Sequence, residues 1–499
     1  MKTIRTILST LLFVLATAGL NAQTVNGVVL FDTLNLKALK VWGTHQERGY
    51  AYGYLLAQDV HVMITSYIKP VLGSSYVNAR NLVTAGNDLS IDSKYHTEAQ
   101  GIIDGMNAVG YNPGNLDATD ILVGNCLLDL MKLLGMKSSM GCSSLMDWGD
   151  ATVGTPLNGK SVITRHLDWT SNATLLNNQL MVVHQPSEAG EQPWIMIGFA
   201  GMMSALSGVN ATLGTFQHVM DDFTGATAHN MHFKPVWLAM RDALEYDDYN
   251  ADGSCNVQDV KSAMNASSNG FADGFIISAL AASSPVDSLV AMVAELTPAA
   301  PAHTYRYNSF ADSIPGDNLY TANYQIGRNN MMHFCNRYNG IRNHIGNGTM
   351  IGIPENWVIM RDWSHQSNNI QCIQFAPEAN HLQISVKKTL PAYQQDSLVF
   401  DLSQLLNQQV GIAETPASSG IQVYPNPATV QLKVTVPMQQ MSGGFTLQVT
   451  DFLGRTVLTQ IYPDSIPVAI VNISGLKPGL YNVRLAGNEQ VYSLPFVKK

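Results

Sequence analysis

The sequence is poor in charge and has no cluster of basic residues. Only 13% of its 499 residues are charged, and the formal net charge is −9 at pH 7. Nucleic-acid binding needs concentrated positive charge, so this composition argues against a nucleic-acid partner. Hydrophobic residues make up 46% of the chain, which favours large buried cores over disorder. A chain of this length is expected to form two or more domains.

Long apolar runs are absent after the first segment. Residues 1–22 combine the basic residues Lys2 and Arg5 with the apolar run ILSTLLFVLATAGL, which predicts a secretory signal peptide cut before Gln23. That run is shorter than the roughly 20 residues that a transmembrane helix needs. No cysteine follows the predicted cut, which argues against a lipoprotein anchor. We therefore expect a soluble mature chain outside the cytosol.

Cysteine is scarce, and the common metal-ligand spacings are missing. The five cysteines are Cys126, Cys142, Cys255, Cys335 and Cys372, so at least one has no partner within the chain. The sequence contains neither Cys-x-x-Cys nor His-x-x-x-His, and we predict no catalytic metal or other catalytic cofactor. The leftover thiol is either a buried apolar group or a nucleophile.

The chain divides into a long mixed region and a short all-β region. In 23–411 helical patterns alternate with strand-like runs such as KSVITRHLDW, NQLMVVHQP and PWIMIGFAG, which predicts layered α+β packing. The run TDILVGNCLLDLMKLLG predicts a helix capped by Thr119 or Asp120 and ended by Gly135. Residues 412–420 are small and polar, as in a linker. Residues 421–499 alternate as short strands with turns and predict a small β-sandwich.

Cys142 is the best candidate nucleophile. If the Gly141–Cys142 bond were cut, the new α-amine, with a pKa of about 8, could serve as the base for the thiol. Arg165 could favour the thiolate, and Asp168 could orient the amine. Two asparagines, Asn210 and Asn323, could donate their amides to an oxyanion. Taken alone, the Arg165–Asp168 pair could equally be structural, and each Asn could be a turn residue.

A second motif, DDYNADGSCNVQDV at 247–260, has the spacing of a calcium loop. Oxygen donors recur at alternate positions, a glycine stands at the sharp turn, and a helical run follows. The loop reads as an insertion that a structural calcium ion would rigidify; the alternative is an acidic solvated turn. The predicted ligands are Asp248, Asn250, Asp252, Ser254, Asn256 and Asp259.

Four short stretches, in order along the chain, carry a family resemblance. They resemble cysteine N-terminal-nucleophile (Ntn) hydrolases of the acyl-coenzyme A:6-aminopenicillanate acyltransferase-like group, to which choloylglycine hydrolases and acid ceramidase are more distantly similar. Upstream, Glu47-Arg48-Gly49-Tyr50 resembles the helix that opens the propeptide in that group. The four stretches are Gly141-Cys142-Ser143-Ser144, Arg165-x-x-Asp168-Trp169, Gly208-x-Asn210-x-x-x-Gly214, and Thr321-Ala322-Asn323-Tyr324 ahead of Arg337-Tyr338.

This resemblance implies a four-layer αββα sandwich that cleaves itself between Gly141 and Cys142. Residues 23–141 would form its N-terminal part and 142–411 the part that carries the nucleophile. Cys142 would be the nucleophile and its freed amine the base, with Arg165 and Asp168 in support and Asn323 or Asn210 in the oxyanion hole. The substrate would be a small molecule with a non-peptide amide bond, and the acceptor either water or another amine.

The C-terminal region resembles the sorting domain of type IX secretion. That resemblance implies partnership with the type IX machinery, export to the outer cell surface or medium, and attachment to the surface. The residues that carry it are Tyr424-Pro425-Asn426-Pro427-Ala428, Asp451–Gly454, Gly475-Leu476, Pro478–Tyr481 and Lys498-Lys499.

Two other functions stay open at this point. The chain could be a catalytically inactive, calcium-stabilised binding protein of the cell surface. It could also be a Cys–His protease that pairs Cys142 with His166, His218 or His333. The sequence does not identify the acyl group or the amine of a substrate.

Overall fold

The computed structural model describes twelve stretches of the chain. The predicted signal peptide 1–22, the linker 412–420 and Cys335 lie outside them. No helix within these stretches is both long and apolar enough to cross a membrane. The stretches are 23–138, 140–220, 228–283, 289–307, 314–329, 336–407, 422–436, 444–451, 456–462, 466–477, 479–486 and 491–499.

A nine-stranded sheet forms the centre of the larger region. Its strand order is β1-β2-β5-β6-β7-β8-β9-β10-β11, and all pairs are antiparallel except β2 with β5. The runs that predicted three successive strands form β4, β5 and β6, which confirms those predictions. The strands up to β11, of which β3 and β4 belong to a second sheet, are β1 Gly27–Thr33, β2 Leu36–Gly43, β3 Gly141–Asp147, β4 Val162–Asp168, β5 Gln179–Pro186, β6 Trp194–Phe199, β7 Ser207–Asn210, β8 Leu213–Val219, β9 Phe275–Ala281, β10 Ala291–Leu296 and β11 His303–Arg306.

A second sheet of six antiparallel strands lies against the first and contains β3 and β4. Its order is β12-β3-β4-β13-β14-β15, so β3 is flanked on both sides. Every residue of β3 and β4 is buried. The remaining strands are β12 Asn318–Thr321, β13 Asn369–Ala376, β14 His381–Val386 and β15 Leu398–Asp401.

Helices cover the outer face of each sheet. Helices α1 to α9 accompany the nine-stranded sheet, α11 packs on β3 and β4, and α10 packs on α11 and β12. The helices are α1 His45–Met63, α2 Lys69–Leu72, α3 Tyr76–Ala85, α4 Ser93–Ala108, α5 Ala118–Asn125, α6 Leu127–Leu133, α7 Ala173–Asn177, α8 Val236–Glu245, α9 Val257–Asn265, α10 Asn336–His344, α11 Ile353–Trp363 and α12 Leu402–Asn407.

Side chains that alternate along the strands of the nine-stranded sheet face two different hydrophobic cores. In β6, Trp194 and Met196 face the helical core, whereas Ile195 and Ile197 face the core shared with the second sheet. Side chains alternate between the two faces of a strand, so a sheet covered on both sides reads as a continuous apolar run. The α+β class is therefore confirmed.

The helix predicted from TDILVGNCLLDLMKLLG starts earlier and is broken. Asp117 caps it through the backbone N–H groups of Thr119 and Asp120, so the prediction that Thr119 or Asp120 is the cap is wrong. Cys126 leaves helical geometry and separates α5 from α6. Asp117 is the cap because its extended backbone lets its carboxylate accept two N–H groups at the start of the helix, while the same carboxylate also pairs with Arg80.

Glycines let α1 lie unusually close to α4. A Cβ atom on Gly49 would collide with the carbonyl of Glu98, and one on Gly53 would collide with that of Ile102. These two helices belong to the segment before Cys142, so close backbone contact makes that segment a compact unit.

The C-terminal region is a small all-β unit with its own core. Its sheets have the orders β16-β17-β20 and β19-β18-β21-β22, all antiparallel. Inward side chains such as Leu432, Leu447 and Val471 form the core between them. The strands are β16 Val423–Tyr424, β17 Gln431–Thr435, β18 Phe445–Asp451, β19 Thr456–Tyr462, β20 Val468–Asn472, β21 Gly479–Ala486 and β22 Val491–Lys498.

Candidate active site

The antiparallel pairing of β3 with β4 brings Cys142 together with the two charged residues predicted to support it. Gly141 pairs with Asp168, Cys142 with Leu167, and Ser144 with Arg165. Arg165 and Asp168 stand 23 and 26 positions after Cys142 in the sequence, and the antiparallel pairing of β3 with β4 brings them back beside it. The short sequence spacing between Cys142, Arg165 and Asp168 reflects the antiparallel pairing of two consecutive strands within a buried sheet.

The thiol of Cys142 lies against a fixed guanidinium group. Nη2 of Arg165 donates to Sγ at 3.3 Å and to the carbonyl of Gln217 at 2.8 Å, while Nη1 donates to Oγ of Ser207 at 3.0 Å. Burial raises the pKa of the Cys142 thiol, and the Arg165 charge opposes that effect. The thiol is therefore protonated at neutral pH, with a cation positioned to stabilise the sulfur as it becomes negative.

Asp168 forms a buried pair with an arginine that the sequence analysis did not place in the site. Arg337 at the start of α10 lies 2.6 Å from Oδ2 of Asp168, and Asn369 donates to Oδ1 at 3.0 Å. Burial raises the pKa of Asp168, while Arg337 and Asn369 act in the opposite direction. The carboxylate is thus held by two donors beside the first residue of β3.

The Gly141–Cys142 peptide bond is enclosed by Asn323 and Arg337. Oδ1 of Asn323 accepts the backbone N–H of Cys142 at 3.0 Å. A Cβ atom built on Gly141 would lie 2.8 Å from Nη2 of Arg337 and 3.0 Å from Nδ2 of Asn323. Only glycine therefore fits here without displacing a side chain, because Nη2 of Arg337 and Nδ2 of Asn323 lie beside the position that a Cβ atom of residue 141 would take. We call Cys142, Arg165, Asp168, Asn323 and Arg337 the nucleophile cluster.

The structure does not bring Asn210 into this cluster. Its Oδ1 accepts the backbone N–H groups of Thr212 and Leu213, and its Nδ2 donates to the carbonyl of Leu244. Asn210 therefore stabilises the turn between β7 and β8, the role that an Asn side chain commonly takes in turns. Asn323 is the oxyanion candidate that remains.

Sequence reasoning missed Arg337, Asn369, Ser207 and Gln217. Arg337 had a signal, because it stands in the stretch that carried the family resemblance, but it was read only as part of a helix. The other three act through a hydroxyl, an amide and a backbone carbonyl on buried strands, and nothing in their local sequence marks them. They enter the site through long-range strand pairing, which a single sequence does not reveal.

No hydrogen bond joins a histidine to the Cys142 thiol in the described part of the chain, although His218 is hydrogen-bonded to the backbone of Cys142. Nε2 of His218 lies 3.0 Å from Oγ of Ser144 and 3.1 Å from Oγ of Ser278, and burial holds the pKa of His218 well below its ordinary value. His166 is also buried, with its pKa lowered to about 3. His333 lies outside the described residues.

The predicted calcium ligands form a compact loop between α8 and α9. The carboxylate of Asp248 accepts the backbone N–H of Gly253 at 2.7 Å, and that of Asp259 accepts the N–H of Asn256 at 2.7 Å. Gly253 has a φ of 95°, as the sharp turn requires. The oxygen donors suit calcium chemically, although Asp248, Asp252 and Asp259 do not converge within 4.8 Å of one another as ligands.

A larger group of buried charges lies away from Cys142. Nη2 of Arg241 is 2.6 Å from both Glu98 and Glu245, and Nη2 of Arg48 is 2.9 Å from Glu245. His45 contacts Glu98 at 2.7 Å and Glu191 at 3.0 Å. Among the described residues, His45, Glu191 and Glu245 alone form a group with metal-ligand spacing, but the arginines already balance these carboxylates. The ion-pair cluster comprises His45, Arg48, Glu98, Glu191, Arg241 and Glu245.

An apolar cleft begins beside the site at Trp169, the residue after Asp168. The Trp169 ring stands edge-on to Tyr67 and to Phe199, with ring centroids 6.2 and 6.1 Å apart. Trp237 lines the same cleft and donates to Oε1 of Gln217, whose carbonyl holds Arg165. Gln217 therefore contacts both Trp237 of the cleft wall and the Arg165 guanidinium that lies against the thiol.

Comparisons with known proteins identify the C-terminal unit. Residues 422–499 match the family model described as a secretion system C-terminal sorting domain. "Protein dcd1B" of Dictyostelium discoideum is 23% identical over 272 residues, which cover 47% of this chain and 50% of the relative. An uncharacterized protein of Archaeoglobus fulgidus is 23% identical over 196 residues, which cover 34% of this chain and 31% of the relative.

The chain spans half or less of the length of these curated relatives, so neither similarity assigns an activity to residues 23–411. The C-terminal match is of a different kind, because it covers the all-β unit from its first strand to its last. Residues 422–499 form a type IX secretion sorting domain, which directs this protein to the cell surface or the extracellular space.

Proposed function

We propose that this protein is a secreted, self-processing cysteine amidase or acyltransferase that cleaves a non-peptide C–N amide bond through a thioester on Cys142. One observation carries the proposal. Arg165 lies 3.3 Å from Sγ of Cys142, while Asn323 accepts the N–H of the same residue at 3.0 Å. One group stabilises negative charge on sulfur, and the other engages the nitrogen of the bond to be cut.

The first stage is cleavage of the chain. Sγ of Cys142 attacks the carbonyl carbon of Gly141, and the thiol proton passes to the nitrogen of Cys142 as the C–N bond breaks. This produces a thioester and a free α-amine. Water then hydrolyses the thioester, which gives a carboxylate on Gly141 and restores the thiol. Nδ2 of Asn323, on the Gly141 side of the bond, is the candidate donor to the oxyanion.

The second stage uses the new N-terminus. The α-amine of Cys142 accepts the thiol proton, and the thiolate attacks the substrate amide. The amine part of the substrate leaves with a proton, and water or a second amine resolves the acyl thioester. Asp168 lies beside Gly141 in the sheet and is suited to hold the α-ammonium once the peptide is cut.

The fold supports the same proposal. Helices, a nine-stranded sheet, a six-stranded sheet and further helices follow one another in the order expected of the αββα Ntn-hydrolase sandwich. The proposed cut at 141/142 separates the N-terminal part, 23–141, from the nucleophile-bearing part, 142–411, at the first residue of β3.

We propose that the apolar part of the substrate binds in the apolar cleft at Trp169, whose free volume of about 20 Å³ requires the lining side chains to move apart. Its walls are mainly aromatic and aliphatic side chains from both sides of the proposed cut. A small-molecule amide with an apolar acyl group fits these walls better than a peptide, whose backbone would need polar partners.

The two alternatives are less well supported. A Cys–His protease would need a histidine at the thiol, whereas His218 bonds to two serine hydroxyls. An inactive binding protein has no need for a buried thiol held by an arginine that makes no ion pair in the described structure. Covalent labelling separates these alternatives from an active nucleophile.

The test is labelling of the purified, full-length protein with a thiol-reactive acyl probe, together with hydrolysis of simple aryl-acyl amides. We expect stoichiometric labelling at Cys142 and amide turnover in the wild type, and neither in Cys142→Ala. Cys126→Ala is the matched control, because Cys126 is a buried thiol in the helical core. Labelling spread over several cysteines, with no turnover, would refute the proposal.

We further propose that 247–260 binds a structural calcium ion through Asp248, Asn250, Asp252, Ser254, Asn256 and Asp259. Binding requires the carboxylates to turn from backbone N–H groups toward the ion. Calcium should raise the melting temperature of the wild type and leave that of Asp248→Ala unchanged. Magnesium at the same concentration is the control.

A further inference from the structure

A second potential binding site lies on the outer side of α11, away from the thiol. Here an open groove runs between the C-terminal end of α11 and the turn at 392–395. We call it the aromatic groove, and its lining includes Trp357, Trp363, His365, Tyr393, Gln394 and Gln395. Nothing in the proposed amidase mechanism uses these side chains.

Aromatic rings in the groove are presented to solvent. The side chain of Trp363 is 43% exposed, and its ring lies flat on His344, with centroids 3.5 Å apart and an interplanar angle of 4°. His365 lies 4.8 Å from the Tyr393 ring at 31°. Stacking fixes the orientation of both rings, so they offer flat apolar surfaces in a defined position.

The charged groups of the groove compensate one another. Nε and Nη2 of Arg361 donate to the two carboxylate oxygens of Asp362, at 2.7 and 3.1 Å. Gln394 and Gln395 add neutral amide groups. A site with a bidentate internal ion pair has no excess charge to attract an anion or a cation, so it favours a neutral ligand with many hydrogen-bonding groups.

The walls are anchored to the buried sheet. Between Trp363 and His365, the hydroxyl of Ser364 donates to Oγ of Ser143 at 2.6 Å and lies 2.8 Å from the hydroxyl of Tyr320. On the other wall, the backbone N–H of Tyr393 donates to Oδ1 of Asn369 at 3.0 Å. The groove is therefore preformed, as a binding site for a flexible ligand should be.

We infer that the aromatic groove binds a neutral saccharide chain. Sugar rings present C–H faces that pack on aromatic rings, and hydroxyl groups that bond to planar amides and to paired charges. The protein is exported to the cell surface or medium, where such chains are met. This inference does not rest on the proposed amidase activity.

The test is isothermal titration calorimetry of the full-length protein with neutral hexasaccharides of glucose, mannose and N-acetylglucosamine. We expect saturable binding of at least one of them, weakened about tenfold or more in Trp363→Ala and in Tyr393→Ala. Trp363→Phe keeps a flat ring and should retain part of the affinity. Tyr111→Ala removes a ring that is 36% exposed outside the groove and should bind as the wild type does.

Cys142→Ala should also bind the saccharide normally, which separates this inference from the amidase proposal. Melting temperatures show whether Trp363→Ala or Tyr393→Ala fails to fold. If one of them does, the saccharide affinity of the other decides whether the inference holds. The inference is wrong if none of the three saccharides binds, if Trp363→Ala and Tyr393→Ala bind as tightly as the wild type, or if binding is seen only with hexagalacturonate or a proline-rich peptide.

Discussion

The molecule buries two clusters of charge, and they are balanced differently. In the ion-pair cluster, Arg48 and Arg241 both contact Glu245, and Arg241 also contacts Glu98. In the nucleophile cluster, Arg337 pairs with Asp168, while Arg165 contacts a thiol, a hydroxyl and a carbonyl. Carboxylates match the first pair of arginines, whereas the second pair faces one carboxylate and a neutral thiol.

This difference separates a structural cluster from a reactive one. A buried cation without an anionic partner is costly, so a fold that keeps Arg165 at a thiol is suited to an anion that appears only during a reaction. In the ion-pair cluster, burial favours the neutral acid, but Arg241 and His45 outweigh it and hold the pKa of Glu98 below its ordinary value. Glu98 and Arg241 therefore keep their charges at neutral pH, and the cluster joins α1 and α4 to α8.

The largest expected effect on stability is at the ion-pair cluster. Arg241→Met leaves Glu98 and Glu245 buried with fewer cationic partners, which should lower the free energy of unfolding by about 3–5 kcal/mol. Lys37→Met is the control, because the Lys37–Asp59 pair is about a quarter exposed and should cost less than about 1 kcal/mol. Urea unfolding measures both. Equal costs would mean that the cluster is not a structural anchor.

Arg165→Met should show the reverse pattern. We expect amide turnover to fall about 10²–10³-fold, because the thiolate and the developing charge lose their cation. The free energy of unfolding should change less than in Arg241→Met, since no carboxylate is left unpaired. The apparent pKa of the nucleophile in the pH–rate profile should rise, and Arg165→Lys should restore part of the rate. Unchanged kcat/KM would remove Arg165 from the mechanism.

His45 gives the ion-pair cluster a pH limit. Burial lowers the pKa of His45, but hydrogen bonds to Glu191 and Glu98 outweigh it and raise the pKa from 6.5 to about 8. The folded pKa is the higher one, so this stabilisation of about 2 kcal/mol is present below pH 6.5 and is lost as the pH rises through 8. Melting temperatures measured across this range should fall in the wild type and stay flatter in His45→Gln. Parallel curves would contradict the assignment.

The smallest expected effect is a steric one at the proposed cut. In Gly141→Ala, the added Cβ would press on Arg337 and Asn323, so self-cleavage should slow about tenfold or more. Gly124→Ala is the matched control, because its Cβ would meet its nearest neighbour at an ordinary 3.4 Å. Time courses of fragment appearance measure the rates. Cleavage of Gly141→Ala at the wild-type rate would mean that the enclosure of Gly141 is irrelevant.

The sequence predicted the elements whose signal is local. Runs of β-branched and apolar residues identified β4, β5 and β6, and the sorting domain was recognised from stretches that keep their order and spacing. Glu47 and Thr44 form a capping box at the start of α1, the kind of local pattern that marks a helix start after a strand. These features depend on residues close together in the chain.

The sequence could not predict contacts made across the chain. Asn323 reaches the N–H of Cys142 from 181 residues away, and Arg337 of α10 reaches Asp168 at the end of β4. Asn210 stood in one of the stretches that carried the resemblance, yet the local turn between β7 and β8 uses its side chain. The cap of α5 was misplaced for a different, local reason, since three neighbouring residues could each cap it and the fold uses Asp117.

The most direct test of the central claim is intact mass and N-terminal sequencing of the purified protein beside Cys142→Ala. The account predicts a wild-type fragment that begins Cys142-Ser143-Ser144 and a variant that stays uncut at this bond. Folding of both is checked by near-ultraviolet circular dichroism, so that an uncut chain is known to be folded. A folded wild type that remains uncut at Gly141–Cys142, or a Cys142→Ala variant that is cut there, would contradict the account.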